Sequence, residues 1–173
     1  MGYFDEYRIP FKGLKSGIHH FDFKITDEFF GNLDYAEQEK AEVNLRLSLL
    51  KEETMLNLDF DFDGAVEVTC DRCGHAFMHP VRGRKHLIVK FGDESYEESD
   101  EIIVVPEGKY EIDIHHYVYE YIILLLPLRK VHSVEFEGVG KCDPKVLKKI
   151  EERSAKKTID PRWEELKKLK NKF

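Results

Sequence analysis

The chain has 173 residues, 42% of them hydrophobic, and a formal net charge of −7 at pH 7. This length predicts one domain with its own hydrophobic core and a tail, and it leaves little room for a second domain. The longest apolar run, at residues 121–128, is shorter than the roughly 20 residues that cross a bilayer, and three cysteines do not indicate a disulfide framework, so we expect a cytoplasmic protein without membrane contact.

The first half of the chain alternates apolar and polar residues with the two-residue period of half-buried β-strands. In the run LNLDFDF, Phe60 falls on one face of the strand and Asp59 on the other. Residues 51–54 fit a hairpin loop between two such runs, and Gly64 suggests a bulge or bend in the second run. Strands are therefore predicted at residues 21–25, 43–49, 56–62, 84–91 and 101–107.

A tight turn with two cysteines, CDRCG, follows the third predicted strand. The spacing of Cys70 and Cys73 is that of a zinc knuckle, in which backbone amides point at the thiolates and Gly74 permits a positive φ. Further along, residues 92–101 contain six acidic and no basic residues, which predicts a solvated loop between the last two strands.

The hydrophobic period changes to that of a helix at residues 111–127, where apolar residues recur three and four positions apart. A helix is predicted near residues 113–126, with Asp113 as its N-cap. Pro127 should end this helix, because the residue before a proline disfavours helical geometry.

These elements predict an α+β fold, in which a curled antiparallel β-sheet or partly open barrel is packed by one long helix and followed by short C-terminal helices. The parity of the strands and the period of the helix also predict which side chains form the core. The predicted core includes Phe60, Phe62, Val66, Val68, Tyr117, Tyr121 and Leu125.

The end of the chain has the opposite charge to the rest. Residues 143–173 contain eleven Lys and Arg and six Asp and Glu, a balance of +5, so the preceding residues carry −12. Two Asp-Pro pairs, at 143–144 and 160–161, predict short helices, because Asp caps the free amides and Pro presets φ at the first helical position. We interpret residues 1–142 as a single α+β domain and 143–173 as a basic helical C-terminal tail.

Further ligands for the knuckle are limited by composition, because the chain contains only one more cysteine. His75 and His79 offer a local set, although His75 lies too close to Cys73 to join it. The irregular, glycine-containing segment after the helix offers a distant set, and reduced, partly buried thiols without metal are the alternative. The predicted structural zinc site is of the Cys₃His type: Cys70, Cys73, His132 and Cys142.

A redox-active Cys-x-x-Cys motif is a further interpretation of the same turn. Such motifs place the first thiolate at the N-terminus of a helix, but here Gly74, Pro80 and Gly83 occupy the segment where that helix would run. The chain also contains no nucleophile elbow, phosphate loop or HExxH motif. A catalytic function is therefore the least expected class, and we do not expect an enzyme.

The segment GAVEVTCDRC, the segment LPLRKVH with the cysteine after it, and the terminal DPRWEELKKLK together resemble the YceD family, the large ribosomal RNA subunit accumulation proteins. The resemblance covers most of residues 55–173. It implies a bacterial, non-enzymatic factor that supports synthesis, processing or stability of large-subunit ribosomal RNA. The sequence departs from the family in the GHAF that follows Cys73, and it lacks the second Cys-x₂-Cys of some members.

Two classes of function compete. In the first, the tail contributes to a ribosome-assembly module, because its lysines can neutralise phosphates and its tryptophan can stack on a base. In the second, the chain is a protein-interaction adaptor with a structural zinc knuckle and no direct RNA contact, and its acidic body disfavours unassisted RNA binding. The partner is then ribosomal RNA or a ribosome-assembly protein. The predicted binding residues are Arg162, Trp163, Lys167, Lys168 and Lys170.

Overall fold

The structure is a computed structural model that describes residues 2–93, 96–132 and 142–155. The described residues begin with two short 3₁₀ helices, at Tyr3–Tyr7 and Phe11–Gly13. The described residues form the strands β1 (Arg8–Ile9), β2 (Gly17–Thr26), β3 (Ala41–Lys51), β4 (Met55–Thr69), β5 (Ala76–Gly92), β6 (Tyr96–Ser99), β7 (Ile102–Pro106) and β8 (Ile112–Asp113). Their α-helices are α1 (Asp27–Gly31), α2 (His115–Leu125) and α3 (Pro144–Ala155).

Six strands form one open sheet in the order β2-β3-β4-β5-β7-β6, and β1 pairs with β8 in a separate two-stranded sheet. Neighbours are antiparallel except β5 and β7, which are parallel. The predicted antiparallel sheet is therefore confirmed at four of the five neighbouring pairs of described strands, and the pair of β5 and β7 is the exception. After β5 the chain forms β6 at the edge of the sheet, antiparallel to β5. It then reverses direction and forms β7 between β5 and β6, so β7 runs parallel to β5. The α+β class is confirmed, and the sheet does not close into a barrel.

One face of the sheet carries the main hydrophobic core. From Ala41 to Leu49 every second residue of β3 is buried, which is the two-residue period of a strand with one solvated face. On β4 the rings of Phe60 and Phe62 are fully buried and stacked 6.3 Å apart. The N-terminal segment, α1 and α2 cover this face with Tyr7, Phe29, Phe30, Val118, Tyr121 and Ile122.

The predicted register is confirmed on β4, where Val66 and Val68 are buried and Asp59 is exposed. Asp61 and Glu67, which the same alternation predicts to be exposed, are half-buried. On the helix, Tyr121 is buried as predicted, whereas Tyr117 and Leu125 are only half-buried. Gly64 causes no bulge, because the pairing of β3 with β4 runs through it without a shift.

The predicted long helix is wrong, because α2 has eleven residues. Asp113 cannot begin it, since this residue forms β8 and pairs with Arg8 of β1. The N-cap is Ile114, and the Asp113 carboxylate accepts a hydrogen bond from the backbone N–H of His115 at 3.2 Å. The predicted end is confirmed, since Leu126 is extended with ψ 140° immediately before Pro127. None of the helices in the described part of the chain is long and apolar enough to span a membrane.

The strand β5 is longer than the predicted strand at 84–91 and includes the segment from Ala76 to Gly83, where proline and glycine argued against a helix. Its pairing with β7 begins only at Ile88, so the stretch of β5 around Pro80 pairs with β4 alone among the described strands. A proline is tolerated there because its missing N–H can lie on the unpaired side of the strand.

Candidate metal centre

The two-cysteine turn connects β4 to β5 and has the local geometry of a knuckle. The N–H of Cys70 donates to the carbonyl of His75 at 2.9 Å, and the N–H of Gly74 donates to the carbonyl of Cys70 at 2.8 Å. Gly74 has φ +76°, a left-handed conformation that glycine adopts without a steric penalty. The turn holds Cys70 and Cys73 on its inner side, where both are buried.

The segment after α2 is attached to this turn by two reciprocal hydrogen bonds. The N–H of Asp71 donates to the carbonyl of Lys130 at 2.7 Å, and the N–H of Lys130 donates to the carboxylate of Asp71 at 2.6 Å. These bonds fix the chain two residues before His132, and so they bring the imidazole toward the cysteines.

The third segment of the site is the start of α3. The carboxylate of Asp143 accepts the N–H of Lys145 at 2.7 Å, and its carbonyl accepts the N–H of Leu147 at 3.1 Å. The predicted cap of the first Asp-Pro pair is therefore confirmed, with Pro144 as the first helical residue. Cys142 directly precedes this cap, so the helix start fixes its position.

The four predicted ligands converge. The sulfurs of Cys70 and Cys142 lie 3.8 Å apart, and the Nδ1 of His132 lies 3.6 Å from the sulfurs of both Cys73 and Cys142. All four donor atoms lie within 4.8 Å of one another. Around a tetrahedral zinc ion, the usual bond lengths place two sulfurs about 3.8 Å apart and a sulfur and a nitrogen about 3.6 Å apart. The donor set and these spacings therefore fit zinc.

A second hydrophobic cluster, separate from the main core, encloses the site. Val68 and Phe77 are buried with the two knuckle cysteines, and Val131 and Val146 pack against them from the other two segments. The ring of His132 lies over Phe77 with the centroids 4.3 Å apart and the planes at 30°. A four-ligand set in apolar surroundings is typical of a structural metal site, which leaves no position for a substrate.

The thiols of the site influence each other's ionisation. Burial raises the pKa of Cys70, but N–H groups of Cys73, Arg72 and His132, together with the His132 side chain, outweigh it and lower the pKa from 9.0 to about 6. Burial and the neighbouring thiols of Cys70 and Cys73 raise the pKa of Cys142 to about 11. One thiolate is thus stabilised by the backbone, whereas further thiolates need a cation nearby.

The other candidates from the sequence lie outside this group. His75 is exposed, and His79 is buried on the core face of β5 with its Nδ1 2.8 Å from the carbonyl of Pro80. The predicted binding residues of the tail lie outside the described residues: Arg162, Trp163, Lys167, Lys168 and Lys170. The bonds between Asp71 and Lys130 could not be found from the sequence, because a pairing across 59 residues leaves no local pattern.

Replacing Asp71 by alanine should loosen the segment after α2 without removing a ligand. The variant loses the acceptor for the Lys130 amide, which should raise hydrogen exchange at that amide about 5-fold, the equivalent of about 1 kcal/mol. Asp71→Asn keeps an acceptor oxygen, so the Lys130 amide of this variant should exchange nearly as slowly as in the parent chain. Equal exchange at Lys130 in the alanine variant and the parent would contradict this role of the carboxylate.

Comparison with known families gives a match over most of the second half and part of the first half of the chain. The model of the family described as Large ribosomal RNA subunit accumulation protein YceD matches residues 58–170, a range that contains all four converging residues. No curated protein and no solved structure matches the chain.

Proposed function

The chain belongs to the YceD family of large ribosomal RNA subunit accumulation proteins, and on this premise we propose that it supports the accumulation of large-subunit ribosomal RNA. The match over residues 58–170 carries the proposal, because it includes the knuckle, α2 and the segments that meet at the candidate metal centre. The proposed role is that of a non-enzymatic factor in ribosome biogenesis, acting in the cytoplasm on ribosomal RNA or together with a ribosome-assembly protein.

We further propose that Cys70, Cys73, His132 and Cys142 bind one zinc ion, which has a structural role. The ion would neutralise the thiolates, whose proximity raises the pKa of Cys142, and it would join the β4–β5 turn, the segment after α2 and the start of α3. By joining these three segments, the centre would fix the geometry of this end of the protein. A closed site of this type supports a binding role rather than a catalytic one.

The adaptor without RNA contact is not favoured, because the family description names an RNA outcome rather than a protein partner. The zinc centre does not decide between the two classes, since structural zinc serves RNA-binding and protein-binding modules equally well.

Depletion of the chain from its source cell tests the proposed function. We expect the ratio of large-subunit to small-subunit ribosomal RNA to fall, as measured by electrophoresis of total RNA, and to recover when the intact chain is supplied from a plasmid. Messenger RNA levels for ribosomal proteins serve as a control for slow growth. An unchanged ratio in depleted cells would refute the proposed function.

A further inference from the structure

The end of the protein that holds the candidate metal centre also carries a group of basic side chains. Arg72 lies in the knuckle turn, and the hydrogen bonds of Asp71 attach the backbone of Lys130, which directly follows Arg129, to the same turn. On α3, three lysines spaced three and four residues apart share one helical face directly after Cys142. We call the group the knuckle-end cations: Arg72, Arg129, Lys130, Lys145, Lys148 and Lys149.

These side chains are available to a partner. Five of them are exposed and Lys130 is half-buried. Within residues 2–93, 96–132 and 142–155, none of the six makes an ion pair within 4.0 Å. Their charge is therefore not neutralised by the described part of the protein.

The solvated face of the sheet is different, because its arginines are paired with the aspartates that the strand register places opposite them. Arg46 pairs with Asp22 across β2 and β3 at 3.6 Å. Arg82 and Arg84 of β5 likewise pair with aspartates of β4, at 2.8 Å and 3.6 Å. The sheet face thus carries both signs in alternation and offers no net attraction to an anion.

The acids of the knuckle end are already used by the backbone. Asp71 accepts the Lys130 amide, and Asp143 accepts the Lys145 amide. Residues 70–75, 126–132 and 142–149 contain six Lys and Arg and these two Asp, although the whole chain carries −7. A positive end on an acidic protein orients a polyanion toward that end and repels it elsewhere.

We propose that the knuckle end binds the phosphate backbone of RNA. The proposal deepens the proposed function, on which it rests, and places the contact on the domain together with α3, the first part of the tail, rather than on the end of the tail alone. The metal centre would hold cations from three separate chain segments in fixed positions, which lowers the entropy lost on binding. Arginines and lysines in such a cluster contact phosphates irrespective of base sequence, so the surface would position RNA rather than select a sequence.

The test is a binding titration of the full chain with a fluorescein-labelled, 20-nucleotide single-stranded RNA of mixed sequence at several salt concentrations. The variant Arg72→Ala/Arg129→Ala/Lys145→Ala removes one cation from each segment. Each lost phosphate contact should weaken binding about 5-fold at 0.1 M salt, so the affinity should fall about 100-fold. The slope of log affinity against log salt should become shallower by about 2.

A matched variant controls for net charge. Lys15→Ala/Lys24→Ala/Lys109→Ala removes three exposed cations elsewhere on the protein and changes the total charge equally. It should keep nearly the parent affinity and slope. The conservative variant Arg72→Lys/Arg129→Lys should also retain most of the binding, and zinc content should be equal in all variants, which excludes loss of the centre as the cause.

The outcomes separate this inference from the proposed function. If both triple variants weaken RNA binding equally, or if neither weakens it, the knuckle end is refuted as the RNA-binding surface. Absence of RNA binding by the intact chain would also refute it and would favour a protein partner at this end. If the knuckle-end variant restores the ribosomal RNA ratio in depleted cells, the proposed function is supported. The same result would refute the role of the knuckle-end surface.

Discussion

Replacement of Cys70 by serine is expected to remove zinc from the purified protein and to release the segments that meet at the metal centre. Cys70 is 1% exposed, and backbone amides stabilise its thiolate. A hydroxyl at this position is a poor zinc ligand, and a structural site contributes about 10–16 kcal/mol of binding free energy in zinc-finger peptides. Elemental analysis should show about one zinc per chain in the parent and almost none in the variant.

The loss of structure should be local. Among the residues that the structure describes, Leu126 is the one side chain that packs against both the main core and the second cluster, so the six-stranded sheet should persist without the metal. Hydrogen exchange should increase at residues 126–132 and 142–155, whereas the amides of β3 and β4 should remain protected. Chelation of the parent chain should produce the same pattern.

Two histidine variants provide a matched control for the zinc experiment. His132→Ala removes the predicted nitrogen ligand and should lose zinc, whereas His75→Ala changes an exposed histidine beside the knuckle and should keep it. Full zinc content in Cys70→Ser or His132→Ala, or loss of zinc in His75→Ala, would contradict the assignment of the four ligands.

The parts of the site that the sequence predicts correctly are those with a chemical signature. Thiols two residues apart before a glycine identify the knuckle, and the scarcity of cysteine leaves Cys142 as the one remaining thiol. The cap of α3 is similarly local, because Asp143 and Pro144 are adjacent. Alternation along β4 also predicts its register, since one slipped residue would turn Phe60 toward water.

The features that the sequence does not predict depend on contacts between distant segments. The parallel pairing of β7 with β5 follows from the path of the chain through β6, which no local pattern encodes. The late start of α2 results from the pairing of β8 with β1, and a helical period does not detect a two-residue strand. The knuckle-end cations are dispersed over residues 72–149, and they form one group only once the turn, the segment after α2 and α3 meet.

Replacement of Gly64 by alanine is expected to destabilise the sheet strongly, because the backbone of β3 lies directly over this residue. A β-carbon at Gly64 would collide with the carbonyl oxygen of Glu42 and lie 2.5 Å from the Cα of Val43. Both atoms belong to the backbone of a strand that is paired on both sides, so they cannot move without breaking ladder hydrogen bonds. The strain should cost about 3 kcal/mol or more, at the upper end of the usual range for overpacking.

The matched control is Gly108→Ala, since a β-carbon at Gly108 meets no atom within 4 Å. Thermal unfolding should show a melting temperature lowered by about 6–12 °C in Gly64→Ala, because each kcal/mol shifts a chain of this size by about 2–4 °C. Gly108→Ala should melt close to the parent chain. The close approach at Gly64 explains why glycine occupies the core face of β4 between Phe62 and Val66: the two strands pair there without a bulge because no side chain separates them. If Gly64→Ala has the same melting temperature as the parent chain, β3 and β4 are farther apart at this position. The continuous pairing of β3 with β4 at Gly64 would then be contradicted.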